Sequence, residues 1–271
     1  MEWKNLYRGL LIGVCDLFPG VSGGTVAFIL GIYERLLTAI SGFFSKEWKK
    51  HIGFLLPLVI GMGSALLIFS KLINFLLRKY NEPTQFFFLG LIIGILPFIT
   101  KQVQMKRNFK IQHYMIVLIV GAALASLAFV SPIDSSPITT LTASNSIGLF
   151  LSGWAGSMAM LLPGISGSFI LLLLGKYETA TTALEHFNIP ILMMMGAGIV
   201  IGFIVSSKVI KILLERLRFV TFSVIIGLIL GSVFVIYPGF PADGTYFMMC
   251  LLTLFIGLLV ASLFNSLELN Q

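Results

Sequence analysis

Two short runs of small and polar residues interrupt otherwise apolar sequence: PGVSGGT at 19–25 and PGISGS at 163–168. In lipid every backbone N–H and C=O needs a partner, so a non-helical stretch survives only inside protein or beside a watery cavity. Each run precedes an apolar stretch that predicts a helix, from Thr25 onward and from Phe169 onward. A helix N-terminus presents free N–H groups and partial positive charge, which suits a phosphate or a carboxylate. Ser22, Thr25, Ser166 and Ser168 would add hydroxyl donors, while Gly23, Gly24 and Gly167 let backbone approach a ligand closely. These are the candidate substrate-binding residues, and Pro19, Gly20, Pro163 and Gly164 are the candidate hinges. The competing reading is that both runs are tight turns whose glycines and serines only pack helices together.

Ionisable residues narrow the choice, because a charge at mid-membrane costs on the order of 2.5–3.5 kcal/mol on insertion scales and usually works or pairs. Asp16 stands directly before the first run, and Glu34 and Arg35 lie about ten residues beyond it. Glu178 is the matching acid after the second run, where Thr179 stands in place of the arginine. Arg35 suits bidentate phosphate binding, and Asp16, Glu34 and Glu178 are candidate carriers of a coupling proton or sodium ion. Lys71 and Lys208 are secondary phosphate candidates, with snorkelling to the interface as their default role. The basic loop Lys101–Lys110 orients the chain and would attract anionic headgroups.

Enzyme readings fit poorly. GVSG and GISG match the serine motif of an intramembrane protease, but that chemistry needs a histidine beside the serine. His51, His113 and His186 are expected in polar loops, which also argues against a metal site. No cofactor is implied.

The elements that must hold these residues follow from composition. Of the 271 residues, 57% are hydrophobic and only 11% are charged, with mean hydropathy +1.00. A soluble domain carries about 25% charged residues, so this is an integral membrane protein. Its long unbroken apolar runs predict helices and not a membrane β-barrel. The net charge of +7 is spread over short loops, which reports loop orientation and excludes nucleic acid as a partner. Cys15 and Cys250 both lie in apolar segments, so no disulfide framework is expected. Lys4 and Arg8 before an apolar run imitate a signal peptide, but the pattern returns inside the chain and reads as structure.

Asp16–Arg35 and Met160–Thr179 align at a spacing of 144, matching Pro19/Pro163, Gly20/Gly164, Ser22/Ser166, Gly31/Gly175, Tyr33/Tyr177 and Glu34/Glu178. At a slightly shorter spacing Lys71 recurs as Lys208, Gly90 and Gly94 as Gly227 and Gly231, and Gly121 and Ala125 as Gly257 and Ala261. The fold class is therefore an all-α polytopic membrane protein built from two copies of one unit, a broken hairpin followed by three spans. Repeat 1 covers 1–131, with a re-entrant hairpin at 9–40 and spans at 52–77, 84–100 and 112–131. An extracellular linker occupies 132–145. Repeat 2 covers 146–271, with a hairpin at 146–175 and spans at 190–207, 219–238 and 246–264.

Charge decides between re-entrant and fully crossing hairpins. With both re-entrant, 14 of the 18 Lys and Arg fall on the cytoplasmic side together with both termini; with both crossing, the split is nine and nine. The positive-inside rule favours the former. Three crossings per repeat then invert the second copy relative to the first, which is a transporter architecture. Lys71, Arg78 and Lys79 fall on the outer side and resist this scheme.

The segment Gly13–Leu37, GVCDLFPGVSGGTVAFILGIYERLL, resembles the bacterial polyprenyl-phosphate transporter family, and so does LLPGISGS at Leu161–Ser168. The resemblance extends over nearly the whole chain. It implies a flippase that returns undecaprenyl phosphate from the outer to the inner leaflet of the bacterial cytoplasmic membrane, for reuse in cell-wall and peptidoglycan synthesis. By resemblance Asp16, Pro19, Gly20, Ser22, Gly23, Gly24, Glu34 and Arg35 belong to the first re-entrant motif, and Pro163, Gly164, Ser166 and Gly167 to the second. The expected partners are that lipid, the surrounding membrane lipids and a coupling ion. The alternatives are an ion-coupled carrier of a small soluble anion and a non-transporting scaffold. A lipid substrate requires a side opening between spans, whereas a soluble one requires an aqueous path on both sides.

Overall fold

The computed structural model describes residues 1–18, 22–130, 136–241 and 243–268, with the side chains of 74 and 264–268 set aside. Pro19 and Gly20, two of the expected hinges, lie outside the described residues. The described residues form helices and connecting turns, without strands. The first broken segment becomes α1 (Lys4–Asp16), α2 (Gly23–Ile29) and α3 (Tyr33–Ser41). Next come α4 (Trp48–Lys79), α5 (Asn81–Gln102), a short α6 (Met105–Asn108) and α7 (Ile111–Ser126). The second half repeats the order with α8 (Ala143–Leu161), α9 (Gly167–Leu173), α10 (Tyr177–Glu185), α11 (Ile189–Arg216), α12 (Arg218–Ile236) and α13 (Gly244–Glu268).

Six of these helices (α4, α5, α7, α11, α12 and α13) are long and apolar enough to cross a membrane. At 1.5 Å per residue the 28 residues of α11 reach about 42 Å, so its end must project beyond a hydrocarbon core of about 30 Å. The apolar run ends near 207, but helix continues to Arg216 and carries Lys208, Lys211, Glu215 and Arg216 with it.

Internal repetition shows in the helix bounds themselves. α2 and α3 recur as α9 and α10 at a spacing of 144, residue for residue, and α4 and α11 end at Lys79 and Arg216, 137 apart. The second broken segment is therefore followed by α10, as the first is by α3, where the apolar pattern alone left a loop. Gly31 and Gly175 account for the break between the paired short helices. Both have positive φ (59° and 62°), and the residue after each donates its N–H back over the turn, Ile32 to Ala27 O and Lys176 to Leu171 O. Glycine reaches this left-handed geometry without a Cβ penalty.

Four helix pairs carry most of the packing: α1 with α4, α8 with α11, α5 with α13, and α7 with α12. Exchanging the two halves maps the first pair onto the second and the third onto the fourth. Each seam is lined with glycine, which lets backbones touch where lipid supplies no hydrophobic drive. Gly9 faces the Leu58 carbonyl and Gly61 that of Leu6; their counterparts Gly153 and Gly198 face those of Met195 and Phe150. Gly90 and Gly257 close the α5–α13 seam, and Gly121, Gly227 and Gly231 the α7–α12 seam. Contacts advance together along both partners (Gly90 to Leu254, then Gly94 to Leu258 and Ala261; Val117 to Gly227, then Leu124 to Gly231), so both pairs run parallel.

The halves differ in one respect. α3 lies on α11, whereas among the described residues its counterpart α10 makes no comparable contact with α4. Tyr33 is buried and its hydroxyl donates to Leu161 O at 3.0 Å, while the matching Tyr177 is exposed.

Candidate functional site

The two tips meet and bond to each other. Ser22 caps α2, its Oγ accepting from the Thr25 N–H at 3.2 Å, and the same hydroxyl donates to Leu162 O at 3.1 Å. Thr25 Oγ1 accepts from the Gly164 N–H at 2.9 Å. Ser166 and Ser168 share a hydroxyl contact of 2.7 Å. Much of the polar capacity expected for a ligand thus already joins one half of the chain to the other. The seven-residue helices behind the tips, α2 and α9, are also short.

Asp16 ends α1 and faces this junction. The Gly23 backbone N–H donates to its carboxylate, and Oδ2 is buried without a partner among the described residues. Asp16, Ser22, Ser157, Ser166, Gly167 and Ser168 line a cavity of about 230 Å³. Its polar side chains are hydroxyls and one carboxylate, with no Lys or Arg among the described lining, and Met160, Leu171 and Ile199 complete the wall. That donor set suits a proton or a small cation better than a phosphate, whose charge would oppose Asp16.

The basic residues gather elsewhere. Glu34, Arg35, Lys50, His51, Lys208 and Lys211 all line a wide mouth of about 840 Å³ between α3, the start of α4 and the end of α11. Most of its charges are already engaged. Arg35 pairs with Glu2 and lies 5.0 Å from the centre of the Phe54 ring; Lys50 approaches Glu47 at 4.0 Å and Lys211 approaches Glu215 at 3.9 Å. Lys208 has no ion pair among the described residues and is exposed. Exposed ion pairs hold only about 0–1 kcal/mol each, so an anion with two or more charges can displace the carboxylates.

A third space borders the first at Asp16 and Met160 and is walled by the same helices as the mouth. An apolar groove of about 450 Å³ begins at Asp16, Gly23 and Gly24 and runs between α3, α4 and α11. Val59 and Val200 on its lips are 58% and 53% exposed, so it opens sideways from the bundle.

The structure thus brings Asp16, Ser22, Gly23, Gly24, Thr25, Gly164, Ser166, Gly167 and Ser168 together at the tips. Glu34, Arg35 and Lys208 collect at the mouth. Glu178 and Lys71 are exposed and border neither space. Pro163 is buried at the second tip. His113 is not in a loop but buried in the first turn of α7, its Nδ1 accepting the Lys110 N–H at 2.9 Å. Lys50 and Lys211 were not singled out from sequence; the three-residue spacing of Lys208 and Lys211 on one helix face was the available signal.

This combination, a multi-pass helical bundle with a side-opening groove, a basic mouth and an acid at paired tips, is the arrangement of a membrane transporter. The chain belongs to the undecaprenyl phosphate translocase-like family, whose pattern matches residues 12–246. It is 41% identical over 268 residues to a polyprenyl-phosphate transporter of Staphylococcus aureus, covering 96% of this chain and 95% of that one. A polyprenyl-phosphate transporter of Vibrio cholerae is 36% identical over 253 residues, covering 88% and 79% respectively. No solved structure matches the chain.

Proposed function

We propose that the protein transports polyprenyl phosphate, returning undecaprenyl phosphate from the outer to the inner leaflet of the bacterial cytoplasmic membrane for reuse in envelope synthesis. The observation that carries this reading is the apolar groove that opens sideways and reaches from the paired tips toward the basic mouth. A lipid phosphate needs such a lateral entrance, since its tail stays in a low-dielectric medium while its headgroup crosses. The names of both relatives agree with that substrate.

The two halves act as inverted repeats with re-entrant hairpins. Parallel running of α5 with α13 and of α7 with α12 supports this. With three spans per half and hairpins that return to their own side, α5 and α13 descend together and α7 and α12 rise together. Fully crossing hairpins would oppose the members of each pair. Both termini then lie in the cytoplasm. Alternating exposure follows from moving one hairpin at a time: α3 rests on α11 in this state, and α10 closes on α4 in the other.

Phosphate is held at the mouth by Lys208 and Arg35 and passes the tips, where Asp16 takes a proton or sodium ion. Neutralising that acid removes the like-charge barrier to the headgroup. Glu34 lies beside the mouth, where it meets ions from the cytoplasm; Glu178 holds the corresponding place on the far side. The width of the mouth favours a second reading, an ion-coupled carrier of a small soluble anion.

The test uses purified protein in liposomes containing a fluorescent short-chain polyprenyl phosphate and a membrane-impermeant quencher. Protein-dependent crossing that is not matched by uptake of inorganic phosphate supports the lipid reading. Uptake of inorganic phosphate without lipid crossing, under an imposed proton or sodium gradient, overturns it in favour of the soluble-anion carrier.

A further inference from the structure

The groove and the mouth form one wall. On α11 the groove is lined by Val200, Phe203 and Ile204, and the mouth by Lys208 and Lys211. Ile204 and Lys208 are four residues apart, hence on one helix face and about 6 Å apart along the axis. On α4 the same change happens in the opposite chain direction, from Leu55 in the groove to His51 in the mouth. α3 serves both spaces, with Leu36 and Ile40 turned to the groove and Arg35 and Ala39 to the mouth. An apolar trough therefore ends, one helical turn along, at a lysine that has no ion-pair partner among the described residues.

We infer that this groove is a binding site for the phosphate-proximal isoprene units of the substrate, with the phosphate on Lys208. The inference rests on the transport reading above and adds a tail-recognition site to it. The occupant is a single-chain polyprenyl phosphate and not bulk lipid, for two reasons. First, a cation stands at the end of the trough, so a ligand carrying its anion directly on an apolar chain meets both surfaces at once. Second, the groove-lining stretch of α4, Leu55 to Met62, spans only about 10 Å, which seats the first few units and leaves the rest of the tail in the bilayer. The protein thus reads the junction between phosphate and isoprenoid and is indifferent to tail length beyond it. The branched methyls of those units pack between Val59, Met62, Val200 and Phe203.

The experiment uses full-length protein in liposomes. Val59→Trp and Val200→Trp fill the groove from its two exposed lips, and Leu118→Trp is the control, a lipid-facing position on α7 that is 71% exposed. We expect each groove variant to slow crossing of a polyprenyl phosphate about tenfold, because the indole takes the space the isoprene units would fill, with Leu118→Trp within about twofold of wild type. A polyprenyl phosphate carrying a photoreactive group in its first isoprene unit should label peptides of α3, α4 or α11. Excess unlabelled polyprenyl phosphate should suppress that labelling, and phosphatidylglycerol should not. Groove variants that transport as fast as wild type, or labelling suppressed equally by phosphatidylglycerol, would overturn the tail site while leaving transport intact. Wild-type protein that moves no polyprenyl phosphate at all would instead sink the transport reading.

Discussion

At the scale of residues, charge is separated along the proposed substrate path: an acid at the tips and cations at the mouth. Asp16 keeps an oxygen without a partner among the described residues, in a cavity with four serines, whereas Lys208, two turns before the end of α11, has no ion pair among the described residues. Lys208→Ala should slow lipid crossing on the order of tenfold, the loss expected when one charge-assisted hydrogen bond to phosphate disappears. Arg35→Ala should cost less, because Glu2 and the Phe54 ring already hold that guanidinium. Initial rates in the quencher assay rank the two, and the reverse order would move the phosphate seat to Arg35. Asp16→Asn should make crossing insensitive to an imposed proton or sodium gradient. A variant that still responds to the gradient would remove Asp16 from the coupling role. The sequence made Asp16 and Arg35 visible as ionisable residues flanking one polar run. Their separation into two spaces was not readable there, since it depends on where the end of α11 projects.

At the scale of elements, glycine sets how closely helices approach. Gly153 and Gly198 bring backbone against backbone between α8 and α11, so a valine at either would push the hairpin off its span. Overpacking of this kind costs about 1–3 kcal/mol, and Gly198→Val should lower the detergent-solubilised Tm and abolish crossing. Gly164 is constrained twice. Its φ is +92°, and a Cβ would lie 2.7 Å from the Leu228 carbonyl. Gly164→Ala should therefore destabilise by about 1–3 kcal/mol, read as a shifted thermal aggregation curve; an unchanged curve would mean that the tip relaxes freely. Six of the seam glycines, Gly90, Gly94, Gly121, Gly227, Gly231 and Gly257, were visible as recurring pairs. Their partners were not, because the sequence cannot tell that α5 packs against α13 of the other half instead of within its own.

At the scale of the whole molecule, the cations expected on the outer side have a structural counterpart. Lys71 recurs as Lys208, and α4 ends at Lys79 as α11 ends at Arg216, so Lys71, Arg78 and Lys79 belong to the extension of α4 that corresponds to the mouth-forming end of α11. Single cysteines at Lys46 and Thr140 should react with membrane-impermeant reagents from opposite faces in right-side-out vesicles. Labelling of both from one face would break the inverted-repeat topology. A short bifunctional thiol reagent joining cysteines at Thr38 and Lys211, both on the mouth, should hold α3 on α11 and stop crossing. Transport that survives the link would exclude motion of α3 relative to α11 from the cycle.

By itself the sequence determined what local composition can determine: a helical membrane protein, six apolar helices long enough to span, and two broken segments in matching positions. Hydropathy and repeat spacing are properties of neighbours in the chain, and burial in lipid converts them directly into helices. Tertiary structure alone decided that the tips hydrogen-bond to each other and that Asp16 lines the groove while Lys208 lines the mouth beside it. Those facts concern residues more than a hundred positions apart. Their placement follows from glycine seams between the two halves, which no window of sequence contains.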